Sequence, residues 1–208
     1  MTFVLRKDGQ VEKYITTFLQ YKTMLTDPSP ECDRYESYRN MPISPKHNKI
    51  FTEITNFYNV PVTYKRQKYI WNGKELDVTQ TPSFHCMMHE VGHFLMCPKE
   101  YRTHIDYGLG SPTFGGVKVS RPDGDDHVEE DILASIFGIY LEFLVGDDIE
   151  ITIGDVGVDD QLTHEFLSEC FQHYYDLGII DQHGTPFNGT NTLVLEKLKL
   201  TRGAKLLS

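Results

Sequence analysis

Apolar residues along this chain recur in runs that switch between helical and strand-like spacing. Val11, Tyr14, Ile15, Phe18, Leu19 and Leu25 predict an amphipathic helix over 11–25, closed by Asp27-Pro28-Ser29-Pro30. A polar, proline-punctuated stretch over 31–46 reads as a surface loop. Ile50, Phe51, Ile54, Phe57 and Tyr58 predict a second helix over 47–58, ended by Asn59 and Pro61. Val62-Thr63-Tyr64 and the run from Lys68 to Val78 are β-prone, and Asn72-Gly73 within that run is a hairpin signal. The edge of such a sheet suits main-chain pairing with an extended peptide.

The next segment is mostly apolar. Phe84, Met88, Val91, Phe94 and Leu95 place a buried helix between Thr81-Pro82, which reads as its start, and Pro98, which stops it. Tyr101 to Asp126 is a glycine-rich connection in which only Val117-Lys118-Val119 reads as a strand. Tyr101, His104 and Tyr107 in this connection are candidate donors toward a bound molecule. A long buried helix follows over 126–145, with Asp125 or Asp126 as its cap and Gly146 at its end. Residues 150–153 read as a short strand. Asp159-Asp160 opens a helix that runs to Gly178 through Leu162, Phe166, Leu167, Cys170, Phe171, Tyr174 and Leu177. Leu193, Leu195, Leu198 and Leu200 mark a last amphipathic piece. The expected fold class is α+β, mainly helical with a small β-sheet ahead of the 84–97 helix. A chain of 208 residues predicts one domain over 1–208.

Charge and cysteine usage narrow the setting. A formal net charge of −10 argues against a general nucleic-acid binder. No apolar run reaches the length of a membrane span, so no membrane association is expected. The N-terminal residues lack the apolar core of a secretory signal. Cys32, Cys86, Cys97 and Cys170 form no CxxC pair, which suits reduced thiols in a cytoplasmic protein.

The chemistry is concentrated in His89-Glu90-Val91-Gly92-His93, an H-E-x-x-H inside the apolar helix. Positions four apart share a helix face, so His89 and His93 can direct two imidazoles at one ion. Glu90 leaves the helix about 100° further round, close to that ion without having to bind it. Two histidines and a glutamate on a buried helix are costly unless satisfied, either by hydrogen bonds or by a metal. The motif favours Zn2+. His85 and Cys97 extend the same stripe and are expected to support or pack rather than ligate. Cys86 and Cys170 read as small buried hydrophobes.

Catalytic zinc takes three protein ligands and keeps one position open. The acidic turn at 129–131 is the obvious source of the third. The helix dipole favours acids there regardless of any metal. Ala134, Ser135 and Gly138 lie on the face below Asp131, and small residues let a helix approach closely enough for a short aspartate to reach. Asp131 is therefore favoured, with Glu130 next.

The motif followed by an acid on a later helix resembles the zincin metallopeptidases, in particular the gluzincin-like group. There the third ligand stands three residues before an alanine and six before an aromatic–small pair. In this chain that register falls on Asp131, with Ala134 and Phe137-Gly138 following and aspartate in the place of glutamate. The pattern is also similar to that of the ImmA/IrrE regulatory peptidases, which implies a small, selective cytosolic protease. The resemblance covers about 65 residues. It implies a zincin-like core over about 81–146, with Glu90 as general base and a protein or peptide as substrate. A non-catalytic zincin-like protein that regulates a partner by binding it is the alternative.

Overall fold

The computed structural model describes residues 9–25, 43–81, 83–109, 127–147, 149, 153 and 162–187. Among them are five α-helices and one two-stranded sheet, an arrangement compatible with the α+β class. The elements in order are α1 (Gln10–Leu25), α2 (Pro45–Tyr58), β1 (Val62–Thr63), β2 (Leu76–Asp77), α3 (Phe84–Met96), α4 (His127–Val145) and α5 (His164–Asp176). No helix among the described residues is long and apolar enough to cross a membrane. The chain divides into two compact units: one holds residues 40–138, the other 1–39 and 139–208.

In the 40–138 unit, α2 starts at Ser44, whose hydroxyl accepts from the His47 amide at 3.2 Å, and Pro45 occupies the first turn. It ends at Asn59, which adopts a left-handed conformation (φ 56°) and donates its amide back to the helix. The buried side chains of α2 (Ile50, Phe51, Ile54) and of α3 (Met87, Met88, Val91) belong to one apolar core, with Leu76, Ala134 and Phe137. Ser83 caps α3, its hydroxyl accepting from the Cys86 amide at 3.2 Å. The start expected at Thr81-Pro82 thus moves to Ser83, and Pro82 lies outside the described residues. At the other end, Arg102 donates to the Cys97 and Leu95 carbonyls and lies over the Phe94 ring. A cation there complements the negative end of the helix dipole.

The sheet departs from the expected hairpin. Val62 and Thr63 pair in parallel with Leu76 and Asp77, and only one antiparallel bridge, Trp71 to Leu76, spans the Asn72-Gly73 turn. Two local interactions account for this. The Asn72 side-chain oxygen accepts from the amides of Lys74 and Glu75, which widens the turn. The Asp77 carboxylate accepts from the Gln67 amide at 2.6 Å, which bends residues 64–70 away from an extended path.

In the other unit, α1 packs on α5. Tyr14 meets Tyr140, Phe143 and Phe171 edge-on, with ring centroids 5.1, 5.5 and 5.6 Å away. The Tyr140 hydroxyl donates to the Gly184 carbonyl at 2.7 Å. The cap of α5 is Thr163, which accepts from the Phe166 amide, and not Asp159 or Asp160, which lie outside the described residues. The Ile153 amide donates to the Ile149 carbonyl at 3.0 Å, a helical spacing where a strand was expected. Residues 117–119 and 193–200, the caps at Asp125 and Asp126, and most of the 31–46 loop also fall outside the described residues.

Candidate metal centre

The motif lies on α3 and the acidic turn at the start of α4, both within the 40–138 unit. The two helix backbones touch. A methyl group placed on Gly138 of α4 would stand 2.9 Å from the His89 amide nitrogen of α3. This contact brings the first turns of α4 alongside the His89–His93 face.

His89, His93 and Asp131 converge. His89 Nε2 lies 2.9 Å from His93 Nε2, Asp131 Oδ1 lies 3.1 Å from His93 Nε2, and His89 Nε2 is 3.5 Å from Asp131 Oδ1. A tetrahedral zinc with bonds of about 2.0–2.1 Å sets its ligand atoms about 3.3–3.4 Å apart. The three separations bracket that value, so the triangle matches one face of such a coordination shell. Two imidazoles and a carboxylate are also donors that zinc accepts. Among the described residues this is the one group of three that meets the spacing for a shared ion.

The far nitrogens of the two rings are positioned from α4 as well. Ser135 Oγ lies 2.9 Å from His89 Nδ1. With Nδ1–H donating to that hydroxyl, the lone pair of His89 sits on Nε2 and faces His93 and Asp131. Glu130 Oε1 stands 3.9 Å from His93 Nδ1, beyond hydrogen-bond reach but close enough to favour a proton there. Glu130, the second choice for the third ligand, therefore sits behind His93 and not at the convergence. Asp131 and Ser135 are one turn apart on α4, as His89 and His93 are on α3.

Electrostatics follow from this packing. Burial opposes a charge on His93, but the Asp131 and Glu130 carboxylates beside it, and the field of Glu90, push the imidazole up to about 10. The His89 and His93 rings beside it hold the Asp131 carboxyl far below the usual carboxylate range, against the effect of its partial burial. Asp131 is exposed on its outer side while His93 is buried. Without a metal, His93 and Asp131 form an imidazolium–carboxylate pair. A divalent cation would take the place of that proton.

Glu90 is half-buried, and its charge is felt at His93, Asp106 and Tyr107. Burial and then Glu90 push the Asp106 carboxyl up. His85 and Cys97 are buried outside the converging trio, and the Cys97 thiol lies 3.4 Å from the Pro98 carbonyl. Cys86, Cys97 and Cys170 form no disulfide.

Of the three candidate donors, Tyr101 and His104 are partly exposed, with their rings 6.0 Å apart and tilted by 39°, and Tyr107 is buried beside His93. The sequence marks Ser135 only as a small residue, and its spacing of four from Asp131 is the signal that puts the two on one helix face.

A scan of protein-family models finds no match to this chain, and comparisons with curated proteins and with solved structures find none either.

Proposed function

We propose that the protein is a zinc-dependent peptide-bond hydrolase of the zincin type, with His89, His93 and Asp131 as the metal ligands and Glu90 as the general base. The observation that carries this reading is the convergence of two Nε2 atoms and one carboxylate oxygen at 2.9–3.5 Å. When bound at such a site, zinc lowers the pKa of a water molecule and polarises a carbonyl group.

The chain's own residues supply the remaining steps. Ser135 keeps the His89 ring in the tautomer that leaves Nε2 open, and Glu130 backs the His93 ring. Glu90, one residue after His89, removes a proton from the water that attacks the scissile carbonyl carbon. It returns that proton to the amine nitrogen as the C–N bond breaks, so the water ends as the hydroxyl of the new carboxyl group and the proton of the amine. In this reading the substrate is a peptide or protein, and the setting is cytoplasmic, where Cys86, Cys97 and Cys170 stay reduced.

A metal-free reading is favoured by one feature, the 3.1 Å contact between His93 and Asp131, which is a complete ion pair by itself. The two readings separate in one comparison. Wild type and Glu90→Gln are purified with zinc, assayed for metal content, and incubated with peptide libraries. Equal zinc in both, with cleavage by wild type alone and a loss of about 10²–10⁴-fold in the variant, supports the hydrolase. Cleavage at the wild-type rate by Glu90→Gln overturns the assigned mechanism. Zinc without cleavage by either protein supports the non-catalytic regulatory alternative.

A further inference from the structure

The backbone turns left-handed just beyond α3, at Asp106 (φ 46°, ψ 39°) and Tyr107 (φ 55°, ψ 17°), and Gly108 follows with φ 80°. Two successive residues with side chains rarely adopt this conformation, because Cβ crowds the backbone. Such conformations persist where surrounding contacts over-determine them, and they gather at functional sites.

The contacts here are specific. The Asp106 amide donates to the Trp71 carbonyl at 3.0 Å. Trp71 itself is fixed by its indole N–H, which donates to the Arg102 carbonyl at 2.9 Å. The Tyr107 ring stacks on Trp71 at 5.0 Å and 13°, and it also faces His93 at 6.0 Å and 20°. Both separations fall in the range of aromatic contact. The Tyr107 hydroxyl is buried and has no hydrogen-bond partner among the described residues. An unsatisfied buried hydroxyl costs stability that phenylalanine would not. The ring, and not the hydroxyl, is what these contacts use.

We propose that Tyr107 is a positioning residue for the metal centre: the left-handed turn at 106–108 wedges its ring between Trp71 and His93 and so fixes the plane of the His93 imidazole. The inference rests on His93 being a metal ligand. His93 is held at its nitrogens by Asp131 at 3.1 Å, with Glu130 3.9 Å away, and these edge contacts resist rotation of the ring less than a wall against its face does. Tyr107 is that wall, since no ring other than His89 and Tyr107 contacts His93 among the described residues.

The test is a cobalt(II) titration of the full chain as wild type, Tyr107→Phe and Tyr107→Leu, following affinity and the visible absorption band. Tyr107→Phe keeps the stack and is expected to match wild type within about twofold in affinity, with the same band. Tyr107→Leu is expected to bind about 10–100-fold more weakly with a shifted band, while its far-ultraviolet circular dichroism stays native. A Tyr107→Leu protein with wild-type affinity and band overturns the proposal while leaving the metal reading intact. Failure of wild type itself to bind cobalt overturns the metal reading, and this proposal with it. Should Tyr107→Leu not fold, nuclear Overhauser contacts between the Tyr107 and His93 rings in wild type decide: their presence supports the wedge and their absence overturns it.

Discussion

Gly92 of α3 lies against the backbone of Ala134 of α4 so closely that a methyl group on Gly92 would stand 2.5 Å from the Ala134 carbonyl oxygen. The obstacle is main chain, which cannot swing aside as a side chain would. Gly92 is the residue just before His93, and Ala134 is three residues after Asp131, so this contact sets the distance between the faces that carry His89, His93 and Asp131. Gly92→Ala is predicted to push the helices apart at a cost of about 1–3 kcal/mol, as overpacking does. Metal affinity should fall with it, because Asp131 is short. Denaturant titration and competition with a chelator check both. Unchanged zinc affinity in a folded Gly92→Ala protein would show that the crossing does not set the ligand distance.

The roles of the three polar residues on α4 are separable. Asp131→Ala removes the proposed carboxylate ligand and is predicted to abolish stoichiometric zinc binding. Ser135→Ala and Glu130→Gln leave all three ligands in place and should weaken zinc about 10–100-fold through the orientation of His89 and His93. Competitive chelation ranks them. If Glu130→Gln loses the metal and Asp131→Ala keeps it, the ligand assignment moves to Glu130.

Loading the site should also stabilise the fold. A ligand at 100 times its dissociation constant adds about 2.7 kcal/mol, which for a domain of this size raises Tm by about 5–10 °C. Differential scanning calorimetry with zinc, and again after a chelator, should show the rise and its reversal. The increment should vanish in Asp131→Ala.

Asp77 predicts the acid limb of stability. It is fully buried, and burial by itself raises its pKa. Its bonds from the Thr79 hydroxyl and amide, the Gln67 amide and the Gln80 side chain outweigh that and lower it. A carboxyl lowered on folding stabilises fully above its unfolded value of about 3.9, and that share is lost as pH falls through the folded value. Asp77→Asn should therefore cost about 1–3 kcal/mol at neutral pH and flatten the loss of stability below about pH 4. Urea midpoints measured from pH 7 down to pH 2.5 check it. An unchanged acid limb would assign it to other carboxyls.

Apolar spacing made α2, α3 and α4 legible: α2 buries one stripe, while α3 and α4 are buried on most of their faces. The pairing of His89 with His93 and the preference for Asp131 followed from the same geometry, aided by Ala134, Ser135 and Gly138 as small residues at a crossing. What stayed hidden depended on single side-chain rotamers or on unusual backbone. Tyr107 gives no sign of a left-handed turn, and Asp106 gives only the weak preference that aspartate shares with asparagine. The hydrogen bond between His89 and Ser135 joins residues far apart in sequence. The Asn72-Gly73 hairpin signal was real but local, and the Asn72 and Asp77 side chains redirected the strands on either side of it. Thr163 caps α5 where Asp159-Asp160 was expected to open it, a choice among residues within four positions that share capping chemistry.

The central claim, one zinc held by two imidazoles and one carboxylate, is tested most directly by X-ray absorption at the zinc edge on the protein loaded with one equivalent. The account predicts four nitrogen or oxygen neighbours at about 2.0 Å, with the outer-shell scattering of two imidazole rings. A sulfur neighbour at about 2.3 Å, or zinc that washes away to leave no bound metal, would contradict it.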